Sequence, residues 1–258
     1  MREQLLLLIR ISKPEYNKGL YDEYKLYMNR QMSFNGSGLT EGQYDKYEGA
    51  ITNIPYKILY STDEKNSWHL LGETSLMHKN SNAYIYCMYG LKYDEKHYDA
   101  ENNKYYYVIP WEYIEPLWQG EGTELMVVKN THVFIEKFEK AAKEAKLSYA
   151  YGKVHYDLDE KLSDIEYYDL AMKDCFESVF HKIKEGYEIQ NEVRFALICP
   201  DKPDHMELML ENDKKLQFTL IPLEFGKNIL VELSDLEFDD KIKLPVRFSA
   251  EIKYYESE

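Results

Sequence analysis

The chain has 258 residues and a formal net charge of −14, from 46 acidic side chains and 32 Lys and Arg side chains. Binding to a nucleic-acid backbone needs clustered Lys and Arg, and the sequence has no such cluster, so ordinary nucleic-acid binding is not expected. An apolar fraction of 44% and a charged fraction of 30% are typical of a folded globular protein. The acidic balance favours a basic protein partner, although solubility alone also accounts for it.

The cysteines Cys87, Cys175 and Cys199 are odd in number and show no CxxC spacing. We therefore expect buried thiols in a reducing compartment rather than a disulfide framework or a structural zinc site. No His pair stands at metal-ligand spacing, so no metal is expected. The apolar run at residues 5–9 is too short to cross a membrane and lacks a signal-peptide cleavage site. These features predict a cytoplasmic protein that does not associate with membranes.

The first predicted element is a buried central strand at residues 4–11, with Arg10 near its end. Pro14 follows and favours the first turn of a helix. An apolar stripe at spacings of four and three continues the helical pattern: Leu20, Tyr24 and Tyr27. The helix is therefore predicted to extend to about Arg30.

Strands separated by polar segments are predicted between residues 31 and 129. A short strand at 31–34 precedes a loop with three glycines at 35–46. Residues 62–82 are polar and irregular, residues 93–103 form an exposed connection, and residues 111–118 form a short helical turn. The remaining strands in this part are predicted at 56–61, 83–89, 104–110 and 124–129.

Two long helices are predicted next, at about 131–147 and 163–184. The first has Thr131 as its N-cap and an apolar face opposite Lys and Glu. The second begins with the capping box formed by Ser163 and Glu166.

Most of the remaining sequence is typical of strands. They are predicted at 149–155, 192–198, 206–210, 216–223, 229–233 and 241–248. No repeat or linker interrupts the chain. The sequence therefore predicts one compact α+β domain over residues 1–258, with a mostly antiparallel sheet and two long helices.

Three polar residues at the entry to the strand at 192–198 form the most informative motif. Alternate side chains of a strand point the same way, so Gln190, Glu192 and Arg194 would share one face, and Val193 and Phe195 the other. Polar groups in a row on a core strand are costly unless they line a cleft or pair with each other. The motif therefore indicates either a functional cleft or an ion pair.

This motif resembles the aromatic-x-x-(Glu/Gln)-x-Glu-x-Arg signature of an uncharacterised family of bacterial and phage proteins. The residues that carry the resemblance are Tyr187, Gln190, Glu192 and Arg194. Members of that family also have an Asn-Asp-Pro-x-Glu-like loop near the N-terminus. Phe34-Asn35 and Tyr47-Glu48-Gly49 are similar to a stretched version of that loop, and segments 122–138 and 152–157 resemble the middle of such proteins. No established activity comes with the family.

A second resemblance is to ADP-ribosyltransferases with an Arg–Ser–Glu arrangement, which also have a (Glu/Gln)-x-Glu pair entering a strand. The resemblance implies that Glu192 stabilises an oxocarbenium-like transition state and that Gln190 orients the acceptor. It implies that Arg10, on the first strand, binds the pyrophosphate of NAD. The family's Ser-Thr-Ser strand is not evident. Arg194 and Asn35 are further candidate cofactor-binding residues.

Three functional hypotheses follow. The first is an NAD-dependent ADP-ribosyltransferase-like enzyme of bacterial or phage origin, acting in host–phage conflict. The second is a non-catalytic acidic protein that inhibits or assembles with a defence component through a basic partner, which the charge and the tyrosine-rich composition favour. The third is a domain that binds an NAD-like nucleotide without cleaving it.

Overall fold

A computed structural model gives the structure of the protein. It describes residues 5–35, 48, 50–52, 56–61, 68–74, 77–78, 82–92, 97–100, 104–156, 177–182, 191–199, 203–238 and 245–255. Within these ranges no helix is long and apolar enough to cross a membrane.

The described elements are mostly strands. The helices are α1 (Pro14–Glu23), α2 (Trp111–Ile114), α3 (Thr131–Glu144) and α4 (Glu177–Phe180), with 3₁₀ turns at Gln31–Asn35 and Glu115–Leu117. The strands are β1 (Leu5–Ser12), β2 (Lys25–Arg30), β3 (Ala50–Thr52), β4 (Tyr56–Ser61), β5 (Trp68–Thr74), β6 (Met77–His78), β7 (Ala83–Lys92), β8 (His97–Asp99), β9 (Lys104–Ile109), β10 (Glu124–Val128), β11 (Ser148–Lys153), β12 (His155–Tyr156), β13 (His181–Lys182), β14 (Glu192–Ile198), β15 (His205–Met209), β16 (Phe218–Pro222), β17 (Asn228–Phe238) and β18 (Pro245–Tyr255).

The largest sheet has the order β11-β14-β7-β1-β10-β16, and β2 joins it to β15. All its strand pairs are antiparallel. A second antiparallel sheet has the order β18-β17-β9-β8, and the one parallel pair in the described residues is β12-β13. The predicted α+β class with mostly antiparallel sheet is therefore confirmed.

Both faces of the largest sheet are covered by apolar side chains. Helix α3 packs Phe134 and Phe138 onto one face, where they meet Phe195 of β14 edge-on at 5.0 and 5.1 Å between ring centroids. The opposite face buries Ile9 and Val127 against the second sheet. Strand β14 is also buried on both faces, with Phe195 under α3 and Ala196 in a cluster with Val179 of α4.

Strand β7 has two different neighbours along one of its edges, whereas β14 pairs with residues 83–89 along the other. Strand β1 pairs with its C-terminal half, with Ile9 opposite Tyr89. Strand β2 pairs with its N-terminal end, with Asn29 opposite Ile85. Strands β1 and β2 therefore separate beside Tyr86. Helix α1 connects the C-terminal end of β1 to the N-terminal end of β2. This separation opens a gap in the sheet.

The predicted helix to Arg30 is wrong beyond Glu23. Tyr24 adopts the left-handed conformation with φ 54°, which ends α1. Lys25–Arg30 is a strand that buries Leu26 and Met28 on one face. The four-and-three spacing was therefore accidental, because only Leu20 of the stripe is buried on the helix, whereas Tyr27 is exposed on the strand.

Other boundaries also differ from those predicted. The 31–34 segment lies in a 3₁₀ turn, and strands β5 and β6 lie within the segment predicted as irregular at 62–82. The helix predicted at 163–184 lies largely outside the described residues. Its end is wrong, because α4 stops at Phe180 and the next two residues pair with β12 as a strand. Its length is therefore not supported, whereas the helix predicted at 131–147 is present as α3.

Asn130, rather than the predicted Thr131, caps α3. Its side-chain oxygen accepts a hydrogen bond of 3.1 Å from the backbone N–H of Val133. We expect Asn130→Ala to lower the free energy of unfolding by about 1 kcal/mol, because that N–H loses its partner. Urea unfolding followed by circular dichroism measures the change. Asn130→Ser keeps a capping oxygen and should stay close to wild type, and equal losses for both variants would contradict the cap.

Candidate functional site

A cavity of about 580 Å³ occupies the gap between β1 and β2. Its described lining includes five cationic side chains, Arg10, Lys18, Lys25, Lys182 and Arg194. Four carboxylates also line it, Glu15, Glu23, Glu48 and Glu192. The cavity lining is thus close to neutral with a slight positive excess, in a chain whose net charge is −14. Such a wall is compatible with an anionic ligand, which the remaining acidic surface would repel.

Arg194 joins two carboxylates at one end of this cavity. Its Nη1 and Nη2 donate to Oε1 and Oε2 of Glu48 at 2.9 and 2.6 Å. Its Nε and Nη2 donate to Oε1 and Oε2 of Glu192 at 2.8 and 3.3 Å. Nη1 also donates to the carbonyl of Val179 at 2.6 Å. These contacts use the five N–H donors of the guanidinium, whose side chain is 1% exposed.

Lys182 completes the cluster from β13, which pairs with β12 in a separate two-stranded sheet. Its Nζ lies 3.4 Å from Oε2 of Glu192 and 3.6 Å from Oε2 of Glu48. Both carboxylates therefore contact both cations, and the formal charge of the four groups is zero. Gln31 donates a further hydrogen bond of 2.8 Å from Nε2 to Oε1 of Glu48. We call Glu48, Lys182, Glu192 and Arg194 the buried charge cluster.

The cluster keeps its two carboxyl groups ionised. Burial acts to raise the pKa of Glu48, but the charges of Arg194 and Lys182 outweigh it, so the pKa is lowered. The same causes, with burial again the largest single one, lower the pKa of Glu192 well below its usual range. The adjacent Cys87 is affected oppositely: burial, followed by the charge of Glu192, raises the pKa of its thiol. The site thus presents ionised carboxylates beside a protonated thiol.

Arg10 lies in the same cavity and has few polar contacts of its own. Its Nη1 donates a long hydrogen bond of 3.5 Å to the carbonyl of Cys87, and its guanidinium carbon lies 4.3 Å from the ring centroid of Tyr86. Its Nε is buried without a hydrogen-bond partner among the described residues, where it also forms no ion pair. Its charge is therefore not neutralised by a carboxylate in this part of the chain, in contrast to Arg194.

The sequence-predicted site residues fall into three groups. Arg10, Glu192 and Arg194 all line the cavity, although Arg194 is saturated by protein groups. Gln190 lies outside the described residues. Asn35 ends the 3₁₀ turn whose preceding residue, Phe34, lines the cavity. The predicted sharing of one face by Glu192 and Arg194 is confirmed, with Val193 and Phe195 on the opposite face.

Other site residues were missed. Glu48 belongs only to the loop resemblance and has no predicted role, Cys87 was expected only as a buried thiol, and nothing in the sequence indicated Lys182. The sequence leaves two interpretations open for the tyrosine and tryptophan group at 105–118: stacking on a base or nicotinamide, or packing in the core and on an edge strand. None of the group lines the cavity. Five of its members lie in or against the core layer under the second sheet: Tyr105, Tyr107, Trp111, Tyr113 and Trp118.

Comparison with known proteins gives no assignment. The chain matches no protein-family model, no curated protein and no solved structure. Within the described part of the chain, no group of three or more His, Cys, Asp and Glu side chains is arranged to hold a metal ion.

Proposed function

We propose that the cavity is the active site of an ADP-ribosyltransferase-like enzyme that binds NAD and cleaves its nicotinamide–ribose bond. The observation that supports this most is that Arg10 and Glu192, which are far apart in sequence, line one cavity. Its volume of about 580 Å³ falls within the range of about 300–1,000 Å³ that is usual for small-molecule sites. A role in host–phage conflict stays a prediction from the resemblance.

Each charged group has a defined role in this proposal. The guanidinium of Arg10 binds the pyrophosphate, since it lacks a carboxylate partner in the described residues. The bond between C1′ of the ribose and the ring nitrogen of nicotinamide breaks, and its electron pair leaves with neutral nicotinamide. The ionised Glu192 stabilises the positive charge that develops on the ribose. The acceptor then bonds to C1′ and gives up its proton.

Arg194 has a positioning role. Its five hydrogen bonds are made to protein groups, and they fix Glu192 and Glu48 relative to each other. A carboxylate held by a rigid neighbour needs little rearrangement when charge develops on the substrate. Arg194 therefore acts through Glu192 and does not bind the cofactor in this proposal.

A second candidate is a domain that binds an NAD-like nucleotide without cleaving it. The specific observation in its favour is that both carboxylates of the buried charge cluster already contact Lys182 and Arg194. A carboxylate whose charge is shared between two cations stabilises an oxocarbenium ion less than a free one does. Under this alternative Arg10 still binds the phosphates, and Glu192 is not needed for binding.

Incubation of the purified protein with NAD, with nicotinamide measured by chromatography, tests the first proposal. Calorimetry with NAD and with ADP-ribose measures binding separately. Cleavage that Glu192→Gln abolishes supports the enzyme. Binding without cleavage supports the second candidate, and the absence of both overturns the two proposals together.

Arg10→Met provides a test that leaves the buried charge cluster intact, should Glu192→Gln fail to fold. We expect it to weaken NAD binding by about tenfold or more, as loss of a charge-assisted contact does. Lys140→Met, on the exposed face of α3, is the matched loss of one positive charge and should bind as wild type. Equal affinities for the Arg10 and Lys140 variants would remove Arg10 from the site.

A further inference from the structure

Three aromatic rings form a closed cluster at the surface, and none of the three lines the cavity, although Leu117 and Gln119 on either side of Trp118 do. The ring centroids of Trp111 and Trp118 are 5.5 Å apart, and those of Phe225 lie 5.1 Å from Trp111 and 6.1 Å from Trp118. The interplanar angles are 65–67°, so the rings meet edge to face. Phe225 is 70% exposed, the highest value among the exposed large hydrophobic side chains of the described residues.

The backbone holds this aromatic surface in place. Phe225 and Gly226 are the central residues of a turn closed by a hydrogen bond of 3.3 Å from the N–H of Lys227 to the carbonyl of Glu224. Gly226 has φ +76°, which a residue with a side chain adopts only with strain. Asn228 accepts a hydrogen bond of 2.7 Å from the N–H of Trp111 and so joins the turn to α2. A surface ordered in this way loses little conformational entropy on binding.

Carboxylates are the main charged groups next to these rings in the chain. Four of them are exposed and form no ion pair within the described residues: Glu112, Glu115, Glu121 and Glu224. Two lysines also adjoin the surface. Lys13 donates to the carbonyl of Glu121, and Lys227 follows the turn. These side chains carry a net negative charge, from four carboxylates against two lysines, in the segments that supply the rings.

We propose that the surface formed by Trp111, Trp118 and Phe225 is the docking site for a basic segment of a partner protein. Lys or Arg side chains of the segment pair with the carboxylates, while their aliphatic stems and an apolar neighbour cover the rings. A second copy of this chain is disfavoured because its net charge is also −14. The proposal does not depend on NAD cleavage, since none of the three aromatic residues lines the cavity.

Tryptophan fluorescence tests this directly, because two of the chain's three tryptophans belong to the surface. The probe is a short peptide of repeated Lys-Leu-Leu-Lys, and its counterpart carries Glu in place of Lys. We expect the basic peptide alone to shift the emission, with an affinity that falls as salt is raised. Phe225→Ala should weaken it by about tenfold or more, as loss of an interface aromatic does.

Met209→Ala is the matched control, because Met209 is 57% exposed on β15 and lies outside both the cavity lining and the aromatic surface. It should bind the peptide as wild type. Equal binding of the basic and acidic peptides, or wild-type binding by Phe225→Ala, overturns the proposal. Sedimentation of the protein alone measures self-association. Self-association that Phe225→Ala abolishes would identify a second copy of the chain as the occupant of the aromatic surface and would also overturn the proposal.

Discussion

Arg194→Met is expected to lower the free energy of unfolding by about 3–5 kcal/mol, the range for removing one partner of a buried ion pair. The guanidinium supplies four of the hydrogen bonds to Glu48 and Glu192, which are 2% and 10% exposed. Without it, Lys182 is the remaining cation of the buried charge cluster, at 3.4–3.6 Å from its two carboxylates. The carbonyl of Val179 also loses its donor. Desolvated charge without compensation then remains in the core.

Urea unfolding followed by circular dichroism measures this loss. Lys253→Met is the matched control, because Lys253 pairs with two carboxylates on an exposed sheet face, where such pairs contribute little. Adding Glu48→Gln to Arg194→Met should restore part of the lost stability by removing one unpaired charge. A loss no larger than that of Lys253→Met would show that the buried charge cluster is not a unit of the folded core.

The elements that could be predicted from the sequence are those in which one short segment shows a full strand or helix periodicity of apolar residues. Strand β14 shows the clearest case, because alternation alone separates the charged face of Glu192 and Arg194 from the core face of Val193 and Phe195. Helix α3 was also recoverable, because its apolar face recurs over several turns.

The rest depended on contacts that no local pattern contains. The end of α1 depends on one left-handed residue, Tyr24, whose type gives no signal for that conformation. The pairing of Glu48 with Arg194 joins residues 146 positions apart, so periodicity could not reveal it. The polar face of β14 predicts either an ion pair between Glu192 and Arg194 or a functional cleft. Both occur together, because the pair forms one end of the cavity.

Because the buried charge cluster also lines the cavity, it affects both the stability of the fold and the chemistry of the site. The charges that stabilise the fold also determine the ionisation of the carboxylates that face the cavity. A variant that abolishes activity can therefore act through stability alone. The Arg10 variants avoid this ambiguity, because Arg10 makes no contact with the four groups of the cluster among its hydrogen bonds.

Acidification should destabilise the protein through the same four groups. The pKa of Glu48 and of Glu192 is lowered in the folded state from an ordinary value of 4.5. Their stabilising contribution is therefore fully present above about pH 4.5 and is lost as the pH falls towards the folded-state pKa values. In that range each carboxylate contributes a slope of up to about 1.4 kcal/mol per pH unit. Each carboxylate faces Arg194, Lys182 and the other carboxylate.

Urea unfolding free energies between about pH 6 and about pH 3, at low and high salt, isolate this contribution. Surface carboxylates with lowered pKa, such as Glu211 beside Lys137 and Lys140, also add to the slope, but salt screens them because they are exposed. The slope that remains at high salt should fall in Glu48→Gln and stay unchanged in Glu211→Gln. A salt-resistant slope that is unchanged in Glu48→Gln would mean that acid sensitivity arises elsewhere, whereas a selective decrease to the part that Glu192 contributes would identify the buried charge cluster as a source of the acid sensitivity.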